Sequence, residues 1–307
     1  MDISELAYAF LFLFQIVFGV SGNVFLLLAY RHVVSITHQL NPPVLIVAHL
    51  ALANTMDLLS RGIPEFLSAW GWNNFLDDVA CKILLYIYRV ARGIDICTTC
   101  LLSIFQAITI SSGTSQWAGV KTQFPRCILP SCLLSWVLNL LFDMTTPMFI
   151  MGLGNSTNMN SVILKYCSSI SISAVTSLII AVGLFLRDML FVGLMSVASG
   201  YMVFVLHRHH WQVRHLYRAG CSPKTMPEVR AAKRIIALVT LYVFLPGRNT
   251  ITLSFLLNMK IHPPLILRSN IMSLTFSAVS PFLMILSDRR IRKFWKRDSH
   301  IPKLDPS

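Results

Sequence analysis

The sequence predicts an all-α membrane protein, a bundle of seven transmembrane helices with its N-terminus outside the cell and its C-terminus in the cytoplasm. Three observations lead there. Mean hydropathy is +0.64 over 307 residues, and only 13% of them are charged, where a soluble domain carries about 25%. Apolar runs of roughly 18 residues or more, the length that crosses a bilayer as a helix, recur along the whole chain. Lys and Arg, finally, gather in alternate connecting segments. A transmembrane barrel would show alternating segments of about 10 residues, and the chain has none.

The first span runs roughly Leu6–Tyr30. Its leading residues are acidic (Asp2, Glu5) and its apolar stretch is too long for a signal peptide, so a retained anchor is expected. The second span is Pro43–Leu67, the third Cys81–Ile110 and the fourth Cys127–Ile150. The fifth lies within Val175–Leu206, the sixth is Ile235–Leu257 and the seventh Leu265–Leu286. Residues 1–287 form the helical body and residues 288–307 a short basic tail.

Orientation follows from the basic residues. One face holds Arg31, Lys121, Arg126, seven Lys or Arg in residues 207–234 and seven in residues 288–307; the other holds chiefly Lys82, Lys165, Lys260 and Arg268. The richer face is cytoplasmic by the positive-inside rule. The net charge of +13 is then mostly a skirt beside anionic lipid, so membrane lipid is an expected partner and nucleic acid is not. The sequon Asn155-Ser156-Thr157 falls outside, where Asn155 is a glycosylation acceptor. Cys81, atop the third span, and Cys167, in the next outer loop, share the oxidising side and are expected to form a disulfide.

No motif argues for catalysis. GxGxxG, P-loop, HExxH and GxSxG patterns are missing. Cys97 and Cys100 read C-T-T-C inside an apolar helix without a partner pair, which suits packing better than metal binding. His207, His209 and His210 stand beside arginines with no carboxylate in ligand spacing and read as a solvated loop. No enzyme activity, metal or cofactor is expected.

Sorted by depth, the ionisable residues gather in the outer half. Asp57, Arg61 and Glu65 lie there on the second span, Arg89, Arg92 and Asp95 on one face of the third, Asp143 on the fourth and Arg248 on the sixth. The stretch LFLRDMLFV raises the same question for Arg187 and Asp188. Met189–Leu206 supplies 18 residues on its own, about 27 Å of helix, which places that pair near the outer edge. Local pairs (Arg92–Asp95, Arg61–Glu65, Arg187–Asp188) are the plain alternative, but the outward bias of the whole set favours a cavity opening outward, because charges in a bundle face its interior or water. Arg89, Arg92, Asp95, Arg187, Asp188 and Arg248 are the expected ligand-pocket residues. The inner half carries mainly neutral groups: Asn23, His49, Asn54 and Gln106. Asn23 and Asn54 are expected to bond between the first two helices, and Gly193 and Gly200 to mark close packing on the fifth. An outer pocket above an inner half without a polar path, and without internal repeats, suits a receptor better than a transporter or channel component.

Particular motifs then carry a resemblance. Gly19-Val20-Ser21-Gly22-Asn23 resembles the first-helix GN motif of rhodopsin-like G-protein-coupled receptors, and Leu50-Ala51-Leu52-Ala53-Asn54 the second-helix LAxxD with Asn54 in place of the acid. Trp136 and Pro281 fit the fourth-helix tryptophan and seventh-helix proline. Gln106, however, stands where the DRY arginine would be, and SPFLM replaces NPxxY, which disfavours odorant receptors. These departures resemble those of the vomeronasal type-1 receptors, matched by HLALANT (49–55), LLSIFQAITIS (101–111), the 187–216 stretch, SPKTMPEVRAAKRI (222–235) and SPFLMILSDRRI (280–291). A bitter-taste receptor is the nearer alternative, although the 187–235 block fits it poorly. The sixth span departs from the family at Phe244-Leu245-Pro246-Gly247-Arg248, where Pro246 removes a backbone hydrogen bond and bends the helix.

The resemblance implies a chemosensory receptor for small, semivolatile, pheromone-like ligands, resident in the plasma membrane and coupled to an inhibitory-class heterotrimeric G protein. Arg208, Arg214, Arg230, Lys233 and Arg234, in the basic segment after the fifth span, are the expected G-protein contacts, with lipid binding as the alternative. Ile291, Phe294 and Trp295 share a face among basic residues, the pattern of a short interfacial helix.

Overall fold

A computed structural model describes residues 3–38, 41–72, 75–111, 118–152, 166–169, 174–216, 236–237, 239–240 and 263–287. Long helices dominate. Among the described residues five are long and apolar enough to cross a membrane, and a shorter apolar stretch, Ile271–Leu286, lies within a sixth. Of the expected sixth span, residues 236–237 and 239–240 are helical and residues 241–257 lie outside the described set, as does the 288–307 tail.

The first helix is Ile3–Thr37. The second begins at Pro42, where a ring that lacks an N–H fits the unsatisfied first turn. It runs as α-helix to Asp57, widens into a π turn over Leu58–Gly62 and resumes as Ile63–Ala69. Pro64 supplies no amide there, and a wider turn accommodates its ring against the preceding turn. Gly71 ends the segment at φ +95°, with Gly71 N donating to Ser68 O at 3.2 Å and Trp72 N to Leu67 O at 3.0 Å, a glycine-dependent C-cap.

The third helix, Asp78–Ile110, is capped by Asp77, whose side chain accepts from Ala80 N at 2.9 Å. It packs against the second, fourth and fifth helices and forms the axis of the bundle. The fourth helix, Ala118–Phe142, starts earlier and stops sooner than the expected Cys127–Ile150. Thr145-Thr146-Pro147 follows soon after Asp143, and proline disfavours helix in the residue before it. The chain turns instead into a short 3-10 segment, Thr146–Phe149, and a strand, Ile150–Gly152, that pairs antiparallel with Cys167–Ser169.

The fifth helix is the longest, Ala174–Leu216. It overruns its expected end by ten residues, so His207, His209 and His210 stand on helix rather than loop. No Gly or Pro interrupts residues 207–216, and nothing local stops propagation. Ile179, Val182, Leu186, Leu190, Leu194 and Val197 form an exposed apolar stripe on it, while Asp188, Met195, Ala198 and Met202 are buried; the Asp188 carboxylate is turned inward and the apolar stripe outward, as in lipid. Gly193 and Gly200 are exposed, and a Cβ on either meets nothing within 4 Å among the described residues. Neither is a packing point among the described residues.

The close approach falls elsewhere. A Cβ on Gly19 would lie 2.6 Å from Leu58 Cδ1 and 2.9 Å from Ala278 Cα, so this glycine lets the first helix touch the second and the C-terminal helix, Pro263–Ser287, as small residues do in membranes. The largest core cluster runs from Leu26 and Leu50 through Ile96, Leu102 and Ile128 to Met195 and Phe276.

Candidate functional site

At one end of the bundle Cys81 and Cys167 form the disulfide, with Cα atoms 5.9 Å apart. It pins the loop strand to the first turn of the third helix. Tyr166, beside it in sequence, is buried and donates from Oη to Glu65 Oε1 of the second helix at 3.3 Å. Burial, and then the Glu65 carboxylate, hold the Tyr166 phenol well above its ordinary value of 10.0.

Below this loop a belt of charges joins four helices. Arg61, aimed from the π turn, lies over the Tyr88 ring at 4.4 Å and donates to its hydroxyl. The same hydroxyl accepts from Arg92 Nη1 at 3.4 Å. Arg92 Nη2 reaches Asp188 Oδ2 at 3.4 Å, and Asp188 Oδ1 takes Arg187 Nη2 at 3.1 Å. Arg187 Nη1 also reaches Asp143 Oδ2 at 3.3 Å and Asn139 Oδ1 at 3.4 Å, with its guanidinium 5.4 Å from the Phe142 ring. Asn139 fills the space above Gly93, where a Cβ would fall 1.9 Å from Asn139 Oδ1. Any larger residue at 93 would displace the amide that steadies Arg187.

Arg187 and Asp188 therefore turn toward the third and fourth helices, 13 residues beyond the start of the fifth helix at Ala174, and are more than an edge marker. Arg92 pairs across helices with Asp188. Asp95 is buried, and its Oδ1 accepts no hydrogen bond among the described residues. Arg89, one turn toward the disulfide from Arg92, donates to Thr146 Oγ1 at 3.3 Å. Arg248 and Pro246 lie outside the described residues.

A second polar layer lies deeper, and it is neutral apart from Asp57. Asn54 Nδ2 donates to Asn23 Oδ1 at 3.4 Å and Ser280 Oγ at 2.9 Å, and Asn23 Nδ2 donates to Ser277 O at 3.1 Å. Ser277 Oγ donates to Asp57 Oδ2 at 2.6 Å. Pro281 is buried against the first helix, its Cγ 3.1 Å from where a Cβ on Gly22 would stand. Trp136 Nε1 donates to His49 Nδ1 at 3.3 Å. Gln106 is half-buried, one turn before the third helix ends, and Ser111 and Tyr201 share a 2.7 Å hydroxyl contact nearby.

Beyond these layers, Arg208 is exposed on the fifth helix and Arg214 lies on its last turn. Arg230, Lys233, Arg234 and Asn155 fall outside the described residues. Sequence reading missed Asn139, Tyr88, Thr146 and Tyr166. Asn139 had a usable signal, an amide within the apolar SWVLNLLF, since polar groups in a span seek partners. Tyr88 and Thr146 fell inside expected spans as neutral residues that sorting charges by depth passes over, and Tyr166 fell in a connecting segment.

Comparison with known proteins agrees with the motifs. The family described as the vomeronasal organ pheromone receptor family matches residues 7–297. The chain is 36% identical to vomeronasal type-1 receptor 4 of Homo sapiens over 92% of its own length and 96% of that protein. It is 35% identical to vomeronasal type-1 receptor 3 of Homo sapiens, covering 99% of each, and 33% identical to olfactory receptor class A-like protein 1 of Danio rerio, covering 95% and 92%. With its long apolar helices, the Cys81–Cys167 bridge and a match over nearly its whole length, the chain belongs to the vomeronasal type-1 receptor family.

Proposed function

We propose that the protein is a seven-span, G-protein-coupled pheromone receptor of the plasma membrane, with the disulfide end outside. A small, mainly apolar ligand enters at that end and orients on the charged belt. An inhibitory-class heterotrimeric G protein engages the opposite end, at Arg208, Arg214 and the basic segment through Lys233-Arg234. The observation that carries this reading is the belt itself. Arg61, Tyr88, Arg92, Arg187, Asp143 and Asp188 join the second, third, fourth and fifth helices by side-chain contacts, so a ligand that rearranges them acts on all four helices at once. An agonist does so only by binding the rearranged state more tightly.

The test is guanine-nucleotide exchange in membranes that contain the chain and an inhibitory-class G protein, driven by fractionated secretions. Exchange with one fraction, lost when Arg208, Arg230, Lys233 and Arg234 are all replaced by Glu at unchanged surface expression, supports the reading. Ligand-driven flux or current without a G protein would replace it with a transporter or channel.

A further inference from the structure

We propose that the interior of the bundle, between the charged belt and the deeper polar layer, holds a site for one compact monovalent cation, an alkali ion or a primary ammonium group, at Asn54, Asp57 and Asp95. Where the cation is the head group of a ligand, the proposal narrows the receptor reading above and rests on it; the site itself stands without it.

The three residues come together from two helices. Asn54 and Asp57 lie three apart on the second helix and so share a face. Ala53 packs in one cluster with Ile94 of the third helix, which sets the residues that follow them, Asn54 and Asp95, at similar depth. The Asp57 and Asp95 carboxyls are close enough to act on one another. All three side chains are buried, with Asn54 1%, Asp57 5% and Asp95 6% exposed. Each nonetheless keeps a buried acceptor oxygen without a hydrogen bond: Asn54 Oδ1, Asp57 Oδ1 and Asp95 Oδ1. Contacts already made leave these atoms over. Asn54 directs its Nδ2 to Asn23 and Ser280, on the first and C-terminal helices, so its Oδ1 points away from them. Asp57 accepts the Ser277 hydroxyl at Oδ2, 2.6 Å away, which leaves Oδ1.

The nearby arginines do not meet this demand. Arg61 and Arg92 act on Asp57, and Arg92 acts on Asp95. Among the described residues, however, no ion pair joins either carboxyl to a guanidinium. Arg61 turns to Tyr88, and Arg92 to Tyr88 and Asp188. Buried polar groups are nearly always satisfied, and a buried charge is tolerated only with partners. A proton on one carboxyl supplies a single donor and leaves the other oxygens bare. A primary ammonium has three donors and no acceptor, and an alkali ion takes several oxygens at once in place of its hydration shell. Either satisfies all three atoms. The donor set disfavours other ions. Soft and transition metals call for sulfur or imidazole, and the described residues hold no group of three or more His, Cys, Asp or Glu able to bind a metal ion. Calcium takes about six to eight oxygens, and magnesium a near-ideal octahedron, more than these side chains offer.

The test uses the full chain in phosphatidylcholine nanodiscs, without a G protein. It reads thermal melts in NaCl, KCl or methylammonium chloride against choline chloride at the same ionic strength. Choline carries the same charge but is bulky and has no N–H. At about tenfold over half-saturation, the tightest of the compact cations should raise the melting temperature of wild type by about 3–6 °C over choline chloride. Asp95→Asn and Asp57→Asn should each abolish that rise. Asp78→Asn, in the first turn of the third helix, should keep it. Chain length separates the two sources: a rise that tightens from methylammonium to butylammonium marks a ligand head group, and a rise with Na+ or K+ alone marks an ion. Equal melts of wild type in all four salts, which need no variant to fold, overturn the proposal, as does a rise that survives in both asparagine variants. A melt that follows pH and ignores the cation overturns it too, because a proton then holds the carboxyls. Cation-dependent melts with no nucleotide exchange from any fraction sink only the receptor reading; exchange by a chain whose melts ignore the cation sinks only the cation site.

Discussion

Two polar layers cross this bundle, and they are built differently. The layer near the disulfide is made of full charges that join the second, third, fourth and fifth helices. The deeper layer, neutral apart from Asp57 on Ser277, ties the first, second and C-terminal helices with amides and hydroxyls around Asn23, Asn54, Ser277 and Ser280. Withdrawn from water, a charge demands partners or it destabilises the fold, whereas a neutral amide loses far less when a partner is removed. The charged layer is therefore the one with competing arrangements of large energy, suited to sensing. The neutral layer holds helices in register through bonds of modest individual worth.

The largest expected effect breaks the charged layer at its centre. Arg187→Met takes the shared cation from Asp143 and Asp188, both nearly buried, and should cost about 3–5 kcal/mol. Thermal melts of the purified chain and surface expression would both fall. Replacing all three together, as Arg187→Met with Asp143→Asn and Asp188→Asn, should recover most of the loss, because desolvation of a charge is then no longer demanded of any of them. A triple variant as unstable as the single one would show that packing by Arg187, not its charge, holds this region.

The neutral layer should respond less. Asn54→Leu removes the donor shared by Asn23 and Ser280 and should cost about 1 kcal/mol in a melt, since hydrogen bonds between membrane helices average well under 2 kcal/mol. A loss matching that of Arg187→Met would erase the distinction between the layers.

How much of this was legible in the sequence follows the same division. Depth along a helix is a count of residues, so the gathering of Arg61, Arg89, Arg92, Asp143 and Asp188 toward the Cys81 end of the helices was readable from hydropathy. Pairing is not a count. Arg92 reaches Asp188 on another helix, because rotation about the helix axis and the reach of an arginine decide the partner. Ends were misread where composition is uniform. Met148-Phe149-Ile150-Met151 is as apolar as the helix before it, and only Thr146-Pro147 announces the turn. Conversely, residues 207–216 are polar enough to suggest a loop yet contain nothing that breaks a helix. The register of Gly93 under Asn139 belongs to the packing of two helices and left no trace in either one alone.

The smallest effect concerns the loop that closes the charged layer from above. Tyr166 donates to Glu65 in its neutral form, and its folded pKa lies above the ordinary value of 10.0. A group raised in the folded state contributes its full stability below the unfolded pKa and loses it as pH rises through the folded pKa. Near neutral pH, Tyr166→Phe should cost only about 0.5–1.5 kcal/mol, one net hydrogen bond. Above the ordinary tyrosine range wild type must place a phenolate beside the Glu65 carboxylate, while the phenylalanine variant has nothing to ionise. The melting advantage of wild type should therefore shrink and then reverse as the solution is made more alkaline. A constant difference across that range would mean that Tyr166 is held by the Cys81–Cys167 bridge and its apolar neighbours alone, and that the loop is not coupled to the charges beneath it.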